Sequence, residues 1–301
     1  MVDEPITHLL TAEDYEDRGV RAMHAVLIEL GQILGPYRGA VVVVGGAVPY
    51  LLLRGADPPH VGTLDVDLDL DPERLAEGAY AEFVETLERA GYRRGVAGLK
   101  PFQLQRAVDV GDSGDPVTVL VDLLMPRDAK TRRNRPALIA GLRVQGADAG
   151  EIALRNNVRL TVDGKMPDGR PNRVELLVAS IPALLVMKGF ALDGRDKPKD
   201  AYDIYFCVRN FPGGPVALAD ACTPLLEEAV ARDGYSRIAA KFGAEDAFGP
   251  HTVSLFLGEY GGFNDMSPEQ VRVDAYRQVR TWLQALGLAQ QPREQSAPDK
   301  V

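Results

Sequence analysis

An alternation of acidic and apolar residues from Asp65 to Leu70 is the stretch of the chain best suited to chemistry. In a β-strand, side chains at positions i, i+2 and i+4 share one face, so Asp65, Asp67 and Asp69 are expected to line one face together. Carboxylates this close repel one another unless a cation lies between them, and hard divalent cations such as Mg²⁺ prefer carboxylate oxygens. The pattern favours a metal site. The alternative is an exposed edge strand whose acids are solvated.

A glycine pair lies upstream of this acidic strand. Val41–Val44 is a short β-branched run, typical of a buried strand, and it stops at Gly45 and Gly46. Glycine lets the backbone turn sharply and approach a ligand, because it has no Cβ. A helix is predicted over Ala47–Leu53, so the turn would direct backbone N–H groups toward an anion such as a phosphate.

These two features together carry a family resemblance. A strand ending in a glycine pair, followed by Thr63-Leu64-Asp65-Val66-Asp67, resembles the start of the DNA polymerase β-type nucleotidyltransferase superfamily. Within that superfamily it is similar to the AbiEii branch, the nucleotidyltransferase toxins of bacterial toxin–antitoxin systems. The superfamily usually has Gly-Ser where this chain has Gly45-Gly46, and Thr63 is a candidate to replace the missing hydroxyl.

A second segment, Lys188–Ile204, extends the resemblance. It is similar to an AbiEii signature of the form Lys-x-x-Ala-Leu-x-x-Arg-x-Lys-x-Lys-Asp-x-Tyr-Asp-Leu. Taken singly, an acid at a helix start is simply a partner for the helix dipole, and a lysine on an amphipathic helix is simply solvated. The whole string is more specific, and the two motifs together span residues 45–203.

The resemblance implies a Mg²⁺-dependent nucleotidyltransferase that consumes an NTP and releases pyrophosphate. It implies a third metal-binding carboxylate on a strand next to the acidic one, and Asp122 in the apolar run Val117–Leu124 is the obvious candidate. The alternative for Asp122 is a salt-bridged structural aspartate, since an isolated carboxylate in a core strand is unfavourable. Two Mg²⁺ ions held by Asp65, Asp67 and Asp122 would align the attacking hydroxyl with the α-phosphate.

The remaining residues of the site are also implied by the resemblance. Lys188 would be the catalytic or phosphate-binding lysine and Asp203 the final essential acid, with Lys199 and Asp200 supporting them. The residues expected to bind the nucleotide are Gly45, Gly46, Thr63, Lys188, Arg195 and Lys199. The family also implies a tRNA 3′ acceptor end as substrate, growth arrest as the result, and a cognate antitoxin as partner.

The strongest basic cluster follows directly after the predicted Asp122 strand. Such a run is either a solvated loop or a set of phosphate contacts to an RNA or a nucleotide. Its members are Arg127, Lys130, Arg132, Arg133 and Arg135. Two other functions stay open: a small-molecule nucleotidyltransferase of the antibiotic-modifying kind, and a non-catalytic nucleotide-binding regulator. The intact set of acids argues against the regulator.

Composition places the chain among soluble globular proteins, with 301 residues, 46% of them hydrophobic and 26% charged. The net charge of −9 argues against a sequence-independent nucleic-acid coat but leaves room for a local basic groove. Two cysteines make neither a disulfide framework nor a zinc site, which fits a reducing cytoplasm. No apolar run reaches the roughly 18 residues of a membrane span, so no membrane association is expected.

The expected architecture is α/β (α+β). Residues 1–179 are predicted to form a polymerase β-like mixed sheet with helices, and residues 180–289 an all-helical domain, with the active site in the cleft between them. Residues 290–301 are polar, contain two prolines and are predicted to be disordered. His60 lies in a loop rich in glycine and proline, and we expect it to face solvent.

Overall fold

The computed structural model describes residues 11–12, 17–37, 39–75, 79–111, 114–127, 143–194, 197–258 and 266–289. This part of the chain folds into ten α-helices and a seven-stranded mixed sheet. All the strands end by Ala179, and from Ile181 onward the secondary structure of the described residues is helical. The predicted class, α/β followed by a helical C-terminal part, is therefore confirmed. The predicted disordered tail, residues 290–301, lies outside the described residues.

The sheet has the strand order β3-β4-β2-β1-β7-β6, and β5 pairs with the end of β4. The pairs β2–β4, β1–β7 and β4–β5 are parallel, and the others are antiparallel. The acidic strand therefore lies near the middle of the sheet and not at an edge. The strands are β1 (Val41–Val44), β2 (Asp65–Leu70), β3 (Gln103–Val108), β4 (Val117–Pro126), β5 (Gln145–Ala147), β6 (Asn157–Lys165) and β7 (Pro171–Ala179).

Four helices belong to the sheet region and six follow it. α1 packs across the sheet and buries Met23, Val26, Leu27 and Leu30, which recur at helical spacing. The helices are α1 (Asp17–Ile33), α2 (Ala47–Leu52), α3 (Ala79–Arg89), α4 (Gly150–Arg155), α5 (Ile181–Gly194), α6 (Pro198–Asn210), α7 (Gly214–Cys222), α8 (Ala229–Lys241), α9 (Phe248–Leu257) and α10 (Pro268–Ala285).

The helical part packs directly on the sheet part. α5 contacts α2 and α4, and α6 contacts α2. Buried apolar side chains from both parts, such as Leu68 of β2 and Phe206 of α6, belong to one continuous cluster. One hydrophobic core therefore fixes the position of α5 and α6 relative to the acidic strand.

Two local segments differ from what their residue types suggest. Asp71-Pro72-Glu73 has the form of a helix start, but Asp71 Oδ1 accepts hydrogen bonds from the N–H groups of Glu73 and Arg74 and closes a turn, and the next helix, α3, begins at Ala79. Asp163-Gly164, a pair typical of turns, is part of β6. Gly164 serves close packing, since a Cβ there would lie 2.8 Å from His24 Nε2 of α1.

No helix in the described part of the chain combines the length and the apolar character needed to cross a bilayer. Cys207 and Cys222 are both buried, free thiols. Burial raises the pKa of each thiol, to about 11 for Cys222, so neither side chain is a ready nucleophile.

Candidate active site

The acidic face of β2 opens on a cleft of about 410 Å³ between the sheet and helices α5 and α6. Both motifs that carry the family resemblance contribute to its walls, although they lie more than a hundred residues apart in the chain. The predicted site residues that line the cleft are Gly45, Gly46, Thr63, Asp65, Asp67, Asp122, Arg127, Lys188, Lys199 and Asp203. The fold therefore gathers these residues in one place.

Two of the carboxylates are neighbours in the sheet. β2 and β4 are parallel, and their register sets Asp67 directly beside Asp122 and Asp65 beside Leu120. Neighbouring residues in register point to the same face of a sheet, so Asp67 and Asp122 face the cleft side by side. On the other face of β2, Val66 and Leu68 are fully buried, as the alternation predicted.

Gly45 is required by the carboxylate of Asp67. A Cβ at position 45 would lie 1.9 Å from Asp67 Oδ2, and the residue has a φ of 68°. Any other residue would therefore collide with the carboxylate and strain the backbone. The glycine turn and the acidic strand are thus two parts of one site.

Thr63 and Lys199 lie so close to position 46 that only a glycine fits there. A Cβ at position 46 would lie 2.9 Å from Thr63 Oγ1 and 2.8 Å from Lys199 Nζ. The Thr63 hydroxyl donates to Asp65 Oδ1. Thr63 therefore supplies a hydroxyl next to position 46, in place of the one that a serine at position 46 would carry.

Crowding of the carboxylates shifts their protonation. Burial, together with the charges of Asp65 and Asp122, raises the pKa of Asp67 to about 7. Burial also raises the pKa of Asp122, although a hydrogen bond of 2.9 Å from Gln103 Nε2 opposes this rise. Burial works against ionisation of Asp65, but the Lys197 ammonium, 3.6 Å away, and Thr63 hold its pKa below the usual range. A bound cation would lower the pKa of Asp67.

The carboxylates of the cleft fit a Mg²⁺ ion that takes its remaining ligands from a substrate and from water. Within the described ranges, no three His, Cys, Asp or Glu side chains are grouped closely enough to hold an ion by themselves. Mg²⁺ is commonly bound by one or two carboxylates together with substrate phosphates and water. Asp65 and Asp67, which share a strand face beside Asp122, suit that kind of site.

The opposite wall carries a buried cluster of two lysines and two aspartates. Lys188 Nζ lies 2.6 Å from Asp200 Oδ1 and 2.7 Å from Asp203 Oδ2. Lys199 Nζ lies 2.8 Å from Asp203 Oδ1. Burial would raise the pKa of Asp203, but the two ammonium groups hold it well below its usual range. Asp203 is therefore an ionised anchor for both lysines.

His60 is buried, and the prediction that it faces solvent is wrong. Its Nε2 lies 2.9 Å from Asp203 Oδ1, while its Nδ1 accepts from the N–H of Gly62. This pair of contacts assigns the proton to Nε2. The ring stacks on Tyr202 with centroids 5.2 Å apart and meets Phe206 edge-on. The loop before Thr63 is thereby fastened to α6.

Replacing His60 with Leu is expected to lower the free energy of unfolding by about 1–3 kcal/mol, since the Gly62 N–H then lacks its partner. Burial and the Lys199 charge lower the pKa of His60 to about 4, so wild type loses stability as pH falls from about 6.5 toward 4. The loss caused by His60→Leu should therefore be constant above pH 7 and shrink in acid. Urea unfolding across this range measures it. The exposed His251 gives the control His251→Leu, and an equal effect of both variants would contradict the assigned contacts.

Asp69 shares the face of Asp65 and Asp67 but is enclosed. It is 0% exposed, and neither carboxylate oxygen has a hydrogen-bond partner among the residues that the structure describes. The start of α4 covers it, since a Cβ on Gly150 would lie 2.8 Å from Asp69 Oδ2. Burial, with a smaller contribution from Asp71, raises the pKa of Asp69 to about 7. Asp69 is thus not a lining residue of the cleft.

Replacing Asp69 with Asn should remove a pH-dependent loss of stability. The pKa of Asp69 is about 7 in the folded protein and 3.8 in the unfolded chain. The contribution of this carboxyl group to stability is therefore lost as pH rises from about 4 through 7. Relative to wild type, the free energy of unfolding of Asp69→Asn should rise by about 2–3 kcal/mol between pH 5 and pH 8. Urea titrations at both pH values test this. Asp220→Asn, at an exposed site on α7, is the control. If the free energies of unfolding of wild type and Asp69→Asn changed in parallel with pH, the prediction would be refuted.

Arg127 follows β4 and lines the cleft, but its charge is compensated. Its guanidinium meets the Asp148 carboxylate through two contacts, Nε to Oδ1 at 2.6 Å and a second nitrogen to Oδ2 at 3.1 Å. Sequence reasoning missed Lys197, which lines the cleft, and Gln103, which donates a hydrogen bond to Asp122. Lys197 lies inside the second motif, which was a usable signal, whereas nothing in the sequence marks Gln103. The other predicted residues, Lys130, Arg132, Arg133, Arg135 and Arg195, lie outside the described residues.

Two comparisons with known proteins were negative. No protein-family model matches the chain. A search of curated proteins finds no match either. The geometry of the cleft and the two motifs are therefore the basis for assigning a function.

Proposed function

We propose that the protein is a Mg²⁺-dependent nucleotidyltransferase of the AbiEii type, within the polymerase β-like superfamily. The observation that carries the proposal is the pairing of Asp67 with Asp122 on parallel strands, beneath a glycine turn and opposite a buried lysine cluster. Carboxylates on one wall suit a metal ion, and ammonium groups on the other suit a triphosphate. Transfer of a nucleotidyl group from an NTP requires both in one cleft.

Each residue has a definite task in this reaction. Asp65 and Asp67 would hold Mg²⁺, which when bound offsets the charge of the phosphate oxygens. Lys197, Lys199 and Lys188 line the same cleft and would bind the triphosphate. Asp203 positions Lys188 and Lys199 and does not touch the reacting atoms.

Asp122 is the proton acceptor in this proposal. The attacking hydroxyl loses its proton to Asp122, its oxygen bonds to the α-phosphorus, and the bond to the departing pyrophosphate breaks. Burial raises the pKa of Asp122, which makes the carboxylate a better base near neutral pH. Gln103 holds one oxygen of that carboxylate in place.

The acceptor we propose is a tRNA 3′ end, with growth arrest as the result and an antitoxin protein as the partner. This part rests on the family resemblance. It is supported by Lys100, an exposed cation at the end of the cleft, in a chain whose net charge is −9. A cationic side chain at this place can bind a phosphodiester of a polyanion that the whole protein repels.

A second candidate is transfer to a small molecule, as in antibiotic-modifying enzymes. The ion pair between Arg127 and Asp148 favours it, because that arginine is not available to phosphates without breaking the pair. The two candidates differ in where the nucleotide label is deposited.

Incubation with each NTP labelled at the α-phosphate, Mg²⁺ and total cellular RNA tests the proposal. We expect one NTP to label an RNA of tRNA size and to release pyrophosphate. Label in a low-molecular-weight fraction of a cell extract, and none in RNA, would select the second candidate. No labelled product and no pyrophosphate with any NTP would reject nucleotidyl transfer.

A further inference from the structure

The cleft extends past Asp122 to a turn formed by residues 100–103. Lys100 and Phe102 line the cleft there, on the side of the sheet away from the glycine turn. The N–H of Gln103 donates to the carbonyl of Lys100, and the N–H of Lys100 donates to Gln103 Oε1. These two bonds close the turn.

The same turn is fastened to Asp122. Gln103 Nε2 donates to Asp122 Oδ1 at 2.9 Å, and the carbonyl of Phe102 accepts from the N–H of Leu123 at 3.1 Å. The carbonyl of Pro101 accepts from the N–H of Arg143. Lys100 and Phe102 are therefore held at fixed positions relative to the carboxylate that serves as proton acceptor.

The two side chains combine an aromatic ring with a cation. Phe102 is half-buried, and the exposed Lys100 places its ammonium 5.8 Å from the ring centroid. Arg143 adds a second exposed cation beside the turn. Aromatic rings that stack on bases, next to cations that contact the backbone, are the usual means of binding single-stranded nucleic acid.

Reaction geometry assigns this side of the cleft to the acceptor. In nucleotidyl transfer the attacking oxygen and the departing pyrophosphate lie in line across the phosphorus. In the proposed function Lys188 and Lys199 bind the triphosphate near the glycine turn, since a Cβ on Gly46 would lie 2.8 Å from Lys199 Nζ. The acceptor must then approach over Asp122, where Lys100 and Phe102 lie.

We propose that Lys100 and Phe102 form a subsite for the single-stranded 3′ end of an RNA acceptor, a proposal that rests on the proposed function. Phe102 stacks on a base near the 3′ end, and Lys100 contacts the adjoining phosphodiester. The terminal hydroxyl is thereby placed at Asp122. A blunt duplex keeps its end bases paired and stacked, so it does not fit this subsite.

Binding of a fluorescent oligoribonucleotide with a single-stranded 3′ end, followed by anisotropy, tests the subsite without catalysis. Phe102→Leu keeps the apolar volume but removes the ring, and we expect it to weaken binding about tenfold or more. Phe102→Tyr should restore binding, which also shows that substitutions here fold. Lys100→Met should lower the slope of log affinity against log salt by about 0.7.

A matched control lies elsewhere on the surface. Phe248 is an exposed phenylalanine on α9 with the Lys241 ammonium 5.1 Å from its ring centroid, so Phe248→Leu removes a similar pair outside the cleft. We expect Phe248→Leu to bind the oligoribonucleotide as wild type does. Equal affinities of wild type and Phe102→Leu, equal affinity for a blunt duplex, or no RNA binding by wild type would each overturn the subsite.

Parallel transfer assays separate this proposal from the function on which it rests. RNA binding that depends on Phe102, without transfer of any labelled NTP, would retain the subsite and reject nucleotidyl transfer. Transfer to RNA with a KM for RNA that Phe102→Leu leaves unchanged would retain the function and reject the subsite. With both correct, Phe102→Leu raises the KM for RNA and leaves the KM for NTP unchanged.

Discussion

Replacing Asp67 with Asn should lower nucleotidyl transfer by about 10³-fold or more and leave the protein folded. In the proposed function a bound metal ion would contribute several kcal/mol to stabilising charge in the transition state, and each 1.4 kcal/mol corresponds to a factor of ten in rate. The charges of Asp65 and Asp122 both act on Asp67, which lies beside Asp122 in the sheet, so we expect its loss to weaken ion binding most directly. Transfer of an α-labelled NTP measures the rate.

The same substitution should stabilise the metal-free protein at alkaline pH. Because the pKa of Asp67 is raised to about 7, its contribution to stability is fully present in acid and lost as pH rises through 7. At pH 8, Mg²⁺ should raise the Tm of wild type but not of Asp67→Asn, since only a folded state that binds the ion is stabilised by it. Asp69→Asn is the matched control, because Asp69 shares the strand face but is enclosed. Wild-type transfer by Asp67→Asn would exclude a metal-binding role.

Replacing Asp203 with Asn should have the largest effect on stability, a loss of about 3–5 kcal/mol in the free energy of unfolding. Lys188 is 7% exposed and Lys199 is 3% exposed, and both ammonium groups lie within 3 Å of this one carboxylate. Asparagine keeps one acceptor oxygen but removes the negative charge, so the buried Lys199 ammonium loses the carboxylate that lies 2.8 Å away. Urea unfolding at pH 7 measures the loss.

Asp200→Asn provides the comparison for Asp203→Asn, because it removes one anion from Lys188 and leaves the contact to Asp203 intact. We expect a clearly smaller loss of stability for Asp200→Asn. The double variant Asp203→Asn, Lys199→Met should recover part of the stability that Asp203→Asn loses, since it removes a buried ammonium whose nearby carboxylate charge is gone. If Asp200→Asn were the more damaging single variant, Asp203 would not be the central anchor of the cluster.

Local periodicity explains what could be predicted from the sequence. The alternation in β2 predicted which side chains share a face, and the apolar run in β4 marked Asp122 as an isolated acid in a strand. The strand pairing itself is a long-range property, yet its result, Asp67 beside Asp122, agrees with the expectation. The roles of these residues in metal binding stay predictions.

Contacts between residues that are far apart in the chain could not be predicted from the sequence. His60 lies in a loop without periodicity, and its burial depends on α6, more than a hundred residues later. Lys188 and Asp203 were predicted as separate functional groups, whereas the structure pairs them. The partner of Arg127, Asp148, likewise arises only because β5 is added beside β4.

The buried cluster formed by Lys188, Lys199, Asp200 and Asp203 is electrically neutral. This neutrality has a consequence for the form in which a nucleotide would enter the cleft. Equal numbers of positive and negative groups leave that wall with no surplus charge to attract a bare nucleotide tetra-anion, and the facing wall is acidic. In the proposed function the cleft would therefore discriminate against an uncomplexed nucleotide and admit the nucleotide together with its cation. Free nucleotide in excess over magnesium should accordingly be a poor competitive inhibitor.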